Sequence, residues 1–306
     1  MRGGIPLAGI LCFAVLGAGV AGAAPAAGSS RDVSLSTGGS FTLSLSVENR
    51  TPAQGEPFRV RVSTSGAVDN LVLEWMGGTY PVLETGPGRY EGVVGVDLLD
   101  PPGSAALVAE GRVPGGALLR AEVELVVAPR KFPVQELTLP KRMAEFDPPT
   151  LRRIREEADV LKSRFERVTE PIRWRIPFLP PVEEYRPTNF GSRRRINGEP
   201  RLPHAAVDLH LPEGTPVRAI AGGIVAFAGE QFFGGRSVVI DHGGGVFSVY
   251  YHLKEFSVSD GQKVGRGERI GAVGATGRAT GPHLHFGVRV PGGRVDPSLL
   301  LGLSGR

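Results

Sequence analysis

Residues 280–288 read Thr-Gly-Pro-His-Leu-His-Phe-Gly-Val. The apolar residues that follow the turn-forming Gly281-Pro282 pair predict a β-strand. On a strand, residues i and i+2 point to the same face, so His283 and His285 should face one cavity while Leu284 packs behind them. Two imidazoles on one face of a strand are suited to metal binding, and this segment therefore predicts a β-sheet that carries a metal site.

The other histidines lie in the same part of the chain, since all six fall between residues 204 and 285. His204 and Asp208 stand four residues apart, so an imidazole and a carboxylate can both turn toward one ion, and such ligands suit zinc. His252 follows the apolar strand residues Tyr250 and Tyr251. A lone histidine is more often a surface or core residue than a ligand. The grouping of these residues favours a metal site over the alternative that each histidine is an ordinary surface or core residue.

The motifs of the C-terminal segment, taken in order, resemble the lysostaphin/LytM-type peptidoglycan endopeptidases of metallopeptidase family M23. The matching segments are Phe190–Arg193, His204–Asp208, Pro212–Val217, Asp241–Gly245, Tyr250–Leu253, Gly274–Gly277 and Thr280–Phe286. Because they occur in the family's order, the resemblance is much more specific than any one of them alone.

The resemblance implies a role for five residues. His204, Asp208 and His285 match the family's zinc ligands, with a water molecule in the fourth coordination position. His252 and His283 match the two catalytic histidines that flank this water. A neutral imidazole there can take a proton, and an imidazolium can stabilise an oxyanion or protonate the leaving amine. Which of the two is the general base stays open.

Two positions depart from the family's usual pattern. This chain has Ala206 where the family usually has glycine, and Gly287 where it often has glutamate. Neither is a ligand position, so the departures concern local packing or substrate fit. The two remaining histidines, His210 and His242, match no catalytic position, and we expect them to be structural.

The resemblance therefore implies a hydrolase: a zinc-dependent metalloprotease that cuts the peptide cross-links of bacterial peptidoglycan and has the wall's peptide stems as its substrate partner. One alternative is a regulator that retains zinc and activates another cell-wall hydrolase without catalysis. A zinc-stabilised structural module is a further alternative. All five key residues are intact, which favours the enzyme.

Working outward, the rest of the chain divides into three parts and predicts an all-β protein. Residues 180–302 form the predicted M23-type domain, an antiparallel β-sheet. Residues 129–178 are a short connector with an amphipathic helix over 148–168, which Asp147 can cap. Residues 32–128 alternate between apolar and polar with a period of two, with turn signals between the strands, which predicts an immunoglobulin-like β-sandwich. We expect this sandwich to position the enzyme, cover its groove or bind a protein partner.

The N-terminus predicts export. Arg2, an apolar run and the small residues Ala21-Gly22-Ala23 are typical of a signal peptide over residues 1–23, so no stable membrane span is expected after cleavage. The single cysteine, Cys12, lies within it, so the mature protein has no disulfide. The net charge is only +4, without basic runs interleaved with aromatics, which gives no support to nucleic-acid binding. The expected location is the periplasm, and otherwise the cell exterior or wall.

Overall fold

The computed structural model describes residues 33–36, 41–138 and 146–304, and the predicted signal peptide over residues 1–23 lies outside these ranges. Within them the protein is built mainly from antiparallel β-sheets, which confirms the all-β fold class. In this part of the chain, no helix combines the length and the apolar character that crossing a bilayer requires.

The N-terminal region consists of two sheets around one apolar core. Its strands are β1 (Val33–Ser36), β2 (Thr42–Val47), β3 (Pro57–Thr64), β4 (Asp69–Trp75), β5 (Gly78–Pro81), β6 (Leu83–Gly86), β7 (Arg89–Gly95), β8 (Gly103–Arg112) and β9 (Leu118–Val127). One sheet has the order β1-β2-β3-β7-β6 and the other β5-β4-β8-β9. Every second residue of β9 is buried, and both sheets contribute to the core, for example through Leu43 and Trp75. Two sheets that share a core form a β-sandwich. Its immunoglobulin-like character stays a prediction.

The connector contains one strand, β10 (Val134–Leu137), and one long helix, α1 (Pro148–Phe165). The side chain of Asp147 accepts a hydrogen bond from Thr150 N at 3.0 Å, and proline occupies the first helical position. Both features stabilise a helix start, because they satisfy or remove amide donors that have no partner within the helix. The helix therefore begins where the sequence signals place it.

The C-terminal region, residues 180–304, holds a nine-stranded sheet with the main path β13-β20-β17-β16-β15-β18. Its elements are β11 (Arg193–Ile196), β12 (Glu199–Pro200), β13 (Val207–Leu209), β14 (Pro216–Arg218), β15 (Gly223–Gln231), β16 (Gly235–Asp241), β17 (Phe247–Phe256), β18 (Lys263–Val264), β19 (Arg269–Val273), β20 (Leu284–Val290), β21 (Gly293–Val295) and the short helix α2 (Pro297–Leu301). A separate small sheet has the order β10-β11-β12, in which β10 and β11 are parallel. The connector thus supplies a strand to the C-terminal region.

Helix α1 packs on one face of the nine-stranded sheet. Leu161 belongs to an apolar cluster with Val249, and the rings of Phe165 and Phe247 lie 5.4 Å apart, edge to face. Val249 lies two residues along β17 from the position that pairs with His285. Because alternate residues of a strand share a face, the helix covers part of the same face that carries His285.

The two regions meet through hydrogen bonds and shared apolar packing. Asp97 of the sandwich accepts hydrogen bonds from Arg294 Nε at 2.8 Å, Nη2 at 2.7 Å and backbone N at 2.8 Å. Gly95 N donates to Pro291 O at 2.8 Å. Val93 of β7 belongs to the core of the C-terminal region. The contact between the two regions therefore combines apolar packing with an ion pair that has several hydrogen bonds.

We expect Asp97→Ala to lower the free energy of unfolding by about 2–4 kcal/mol, because it leaves the half-buried Arg294 guanidinium without its charged partner. Hydrogen bonds from Arg294 outweigh burial and lower the pKa of Asp97, so its contribution is present at neutral pH. That contribution should fade as the pH falls through the lowered pKa. Urea unfolding at pH 7 and at pH 3 measures both effects. Glu184→Ala, in an exposed ion pair, is the control and should change stability by less than about 0.5 kcal/mol. An Asp97→Ala effect no larger than this control would contradict the prediction.

Candidate active site

Two adjacent strands and one loop bring the three predicted ligands together. Asp208 on β13 stands directly opposite His285 on β20 in the antiparallel register. His204 lies in the loop before β13, where its N–H donates to Ser192 O at 3.0 Å and its C=O accepts from Gly191 N at 2.8 Å. The strand register and these two hydrogen bonds fix the place where the three side chains meet.

The donor atoms of these side chains converge on one point. His204 Nε2 lies 2.9 Å from His285 Nδ1 and 3.2 Å from Asp208 Oδ1, and His285 Nδ1 lies 3.1 Å from that oxygen. Two ligands at zinc-like distances of about 2.0–2.1 Å stand roughly 3.3–3.4 Å apart at a tetrahedral angle, so this spacing is close to what a bound ion requires. Within the described residues, no second group of His, Cys, Asp or Glu side chains offers a comparable set. The residues present therefore fit a metal ion.

The protonation states also suit a cation. Burial raises the pKa of Asp208, but its close contacts with the imidazoles of His204 and His285 outweigh burial and hold that pKa well below its ordinary value. Burial lowers the pKa of His285 to about 4. His204 Nδ1 lies 3.1 Å from the carbonyl oxygen of Asn189, a contact that places the proton on Nδ1 and leaves Nε2 with a free lone pair. An ionised carboxylate and neutral imidazoles are the forms in which these groups bind metals.

Two residues that were not among the predicted site residues contact Asp208 through Oδ2, the oxygen that does not face the histidine donors. Its Oδ2 accepts from Arg194 Nη2 at 3.3 Å and lies 3.4 Å from Asn189 Nδ2. Asn189 has a φ of 72°, which asparagine tolerates better than most residues, and this lets it contact both His204 and Asp208. Arg194 follows directly after the motif Phe190–Arg193, and that adjacency was the one sequence signal that could have pointed to it.

The two predicted catalytic histidines lie beside the three donors. The rings of His252 and His283 are 4.6 Å apart, and His283 Nε2 lies 3.9 Å from Asp208 Oδ1. His283 Nδ1 lies 2.9 Å from Gly281 O, and His252 Nδ1 lies 2.9 Å from Thr276 O. These carbonyl acceptors place the proton of each ring on Nδ1 and leave Nε2 unprotonated in the neutral form.

His252 reaches the cleft through an unusual backbone conformation. Tyr250 is fully buried and Tyr251 stacks on the His285 ring at 5.4 Å, so strand alternation would place His252 on the side of Tyr250. A φ of 62° at His252 breaks this alternation and brings two consecutive side chains to the metal side. A positive φ in a non-glycine residue costs roughly 1–3 kcal/mol, and such strain is concentrated at functional sites. Burial is the main cause that lowers the pKa of His252 to about 4.

The two remaining histidines differ in their surroundings. His242 is fully buried, with Nδ1 2.8 Å from Gly222 O and Nε2 2.7 Å from Ser248 Oγ, and burial lowers its pKa to about 4. These contacts agree with a structural role. His210 is exposed and its ring lies 5.7 Å from that of His283, at the wall of the cleft. His210 therefore lies closer to the predicted catalytic histidine His283 than a purely structural role requires.

These side chains line a cleft of about 280 Å³. Its lining also includes the connector strand and the loop after β19, through Gln135, Leu137, Arg278 and Thr280. Gln135 Nε2 donates to Asn189 Oδ1 at 3.1 Å. Residues from three parts of the chain thus form the walls, and the connector is one of them.

The two departures from the family's usual residues lie side by side. Gly287 lies on β20 next to Ala206, and a Cβ added at Gly287 would meet the Ala206 Cβ at 3.4 Å. That distance is an ordinary van der Waals contact, so the two departures are direct neighbours in the structure. Both residues line a smaller cavity of about 150 Å³, which His285 also lines.

A family model and a solved structure agree with this geometry. The model of Peptidase family M23 matches residues 202–297. The crystal structure of a Pseudomonas aeruginosa protein assigned to peptidase M23 is 30% identical to this chain with a TM-score of 0.63, and the match covers 82% of this chain and 96% of that one. The chain belongs to peptidase family M23.

Curated relatives match part of the chain. DD-carboxypeptidase/endopeptidase Mpg of Neisseria meningitidis is 48% identical over 94 residues, which is 31% of this chain and 22% of that protein. Peptidoglycan DD-endopeptidase ShyA of Vibrio cholerae is 38% identical over 142 residues, which is 46% of this chain and 31% of that protein. The chain therefore spans less than a third of the length of either relative.

Proposed function

We propose that this chain is a zinc-dependent endopeptidase that hydrolyses peptide cross-links of bacterial peptidoglycan. The main support is the convergence of two imidazole nitrogens and one carboxylate oxygen to within 3.2 Å of one another, beside two further imidazoles. The names of the M23 relatives, a DD-carboxypeptidase/endopeptidase and a peptidoglycan DD-endopeptidase, direct the proposal to cell-wall peptides.

In this proposal, His204 Nε2, Asp208 Oδ1 and His285 Nδ1 hold the zinc ion. Three protein ligands leave a fourth position for water or substrate, which is typical of catalytic rather than structural zinc sites. Zinc supplies a bound water with a pKa of about 7 and polarises a carbonyl oxygen. The donor set therefore favours the enzyme over a zinc-stabilised structural module.

His252 and His283 handle protons in this proposal. Each ring has its Nδ1 on a backbone carbonyl, so Nε2 is the atom that can accept a proton from the attacking water. In its protonated form the same nitrogen can donate to the developing oxyanion or to the leaving amine. Because the rings come from different segments, β17 and the turn before β20, two protons can be held on different sides of the scissile bond.

The substrate places the protein in the cell envelope. The proposal therefore includes export, with the periplasm as the expected compartment and the cell exterior or wall as the other. The N-terminal sandwich shares a partly apolar interface with the C-terminal region, and its proposed role is to position the enzyme or bind a protein partner.

Mass spectrometry of peptides released from purified peptidoglycan tests the proposal. The full-length protein should release peptides with new free amines, a chelator should stop the release, and added zinc should restore it. A protein that only regulates another hydrolase would release none. Chelator-resistant cleavage, or no cleavage by the zinc-loaded protein, would contradict the proposal.

A further inference from the structure

The cleft that holds the candidate metal site carries an excess of positive charge. Arg194 and Arg278 both line it, and Asp208 is the one carboxylate among its described lining residues. Arg201 is next to Arg194 in the small sheet, since Arg201 N donates to Arg194 O at 2.9 Å. Asp208 pairs with Arg194 through Oδ2 and faces the metal donors with Oδ1, so its single negative charge leaves Arg278 without a counter-charge, and a bound divalent ion would add to the excess.

The guanidinium of Arg278 is held in place without an acidic partner. It lies 4.3 Å from the centroid of the Phe233 ring, and that ring packs against Phe146 at 5.6 Å. In the described part of the chain, no carboxylate forms an ion pair with Arg278. Burial, followed by the charges of Arg194 and Arg201, lowers the pKa of Arg278. An arginine fixed on an aromatic ring beside other cations is ready to bind an anion.

Arg194 is held by different contacts. Its Nε donates to Gln135 Oε1 at 3.3 Å and its Nη2 to Asp208 Oδ2 at 3.3 Å. Its neighbour Arg195 points to the other face of β11, where it pairs with Glu136 at 3.6 Å. Of these adjacent arginines, Arg194 is therefore the one directed into the cleft.

We propose that Arg278, with Arg194 beside it, binds a free carboxylate of the substrate next to the scissile amide, so that the enzyme selects anionic peptides. This inference rests on the proposed hydrolase function and adds the chemical class of its substrate. The carboxylate can be the C-terminus of the leaving residue or a carboxylate on the amino acid that forms the cross-link. A planar guanidinium recognises either one with paired hydrogen bonds.

Four synthetic peptides separate these cases. One pair is Lys-D-Ala-D-Ala with a free or an amidated C-terminus. In the other pair, D-alanine is linked to the side-chain amine of diaminopimelate, whose adjacent carboxylate is free or amidated. Calorimetry measures their affinity for zinc-loaded full-length protein carrying His283→Ala, without and with Arg278→Gln. Arg195→Gln is the matched control, because it also removes one positive charge but lies on the face of β11 opposite to the face that carries Arg194. Hydrolysis of each peptide by the unmodified protein is measured in parallel.

The acid form of at least one pair should bind about 10- to 100-fold more tightly than its amide. Arg278→Gln should abolish this preference without changing affinity for the amide, and Arg195→Gln should keep it. The pair that shows the preference identifies the source of the carboxylate. Equal binding of acids and amides, or equal effects of Arg278→Gln and Arg195→Gln, would overturn the inference. Acid-selective binding without hydrolysis would instead refute the proposed hydrolase function and leave the carboxylate site standing.

Discussion

His285→Ala is expected to release the metal and to abolish hydrolysis. Two donors would remain, His204 Nε2 and Asp208 Oδ1, and they are too few to retain a tetrahedral ion. Loss of a residue that merely supports a ligand costs about 10–100-fold in metal affinity, so loss of the ligand itself should cost more. The measurement is zinc content by mass spectrometry after dialysis, beside the rate of peptide release.

His210→Ala is the matched control for this prediction. His210 lies at the same cleft, 5.7 Å from the ring of His283, but it is outside the converging donor set. His210→Ala should therefore keep one zinc ion per chain. Circular dichroism shows that each variant is folded. Full zinc occupancy in folded His285→Ala would refute the proposed ligand set.

The sequence was most informative where a short motif and a strand coincide. His283 and His285 were expected on one face of a strand, and both line the cleft, although β20 begins at Leu284. Strands β9 (Leu118–Val127) and β19 (Arg269–Val273) lie in the two regions for which the sequence predicts β-structure. Each has a buried or alternating pattern with turns at its ends, so local physics is sufficient to define it.

Long-range pairing was not predictable in the same way. The structure pairs β10 of the connector in parallel with β11, and this pairing joins residues far apart in the chain. The apolar face of α1 predicted burial, but the sequence does not say which surface covers it. Which strands pair and which surface covers a helix depend on the faces that remain free after the sheets form.

The site itself extends beyond the residues that a motif can reveal. Arg194 and Gln135 come from β11 and β10, and both lie outside the segment that the M23 model matches. The positive φ of His252 was equally hidden, because histidine carries no local signal for it. Tertiary contacts bring these side chains to the site, and the sequence alone does not show those contacts.

His252→Ala and His283→Ala should each keep the metal and lose activity. Neither ring nitrogen is among the three converging donors, and the task proposed for both is proton transfer, which contributes about 10²–10⁴-fold to a rate. Each variant should therefore lose at least 100-fold in kcat at unchanged zinc content. The two losses should not multiply in the double variant, because residues that act as a unit are not additive. Zinc loss as complete as in His285→Ala would move the affected histidine into the ligand set, and full activity in both would refute the proposed mechanism.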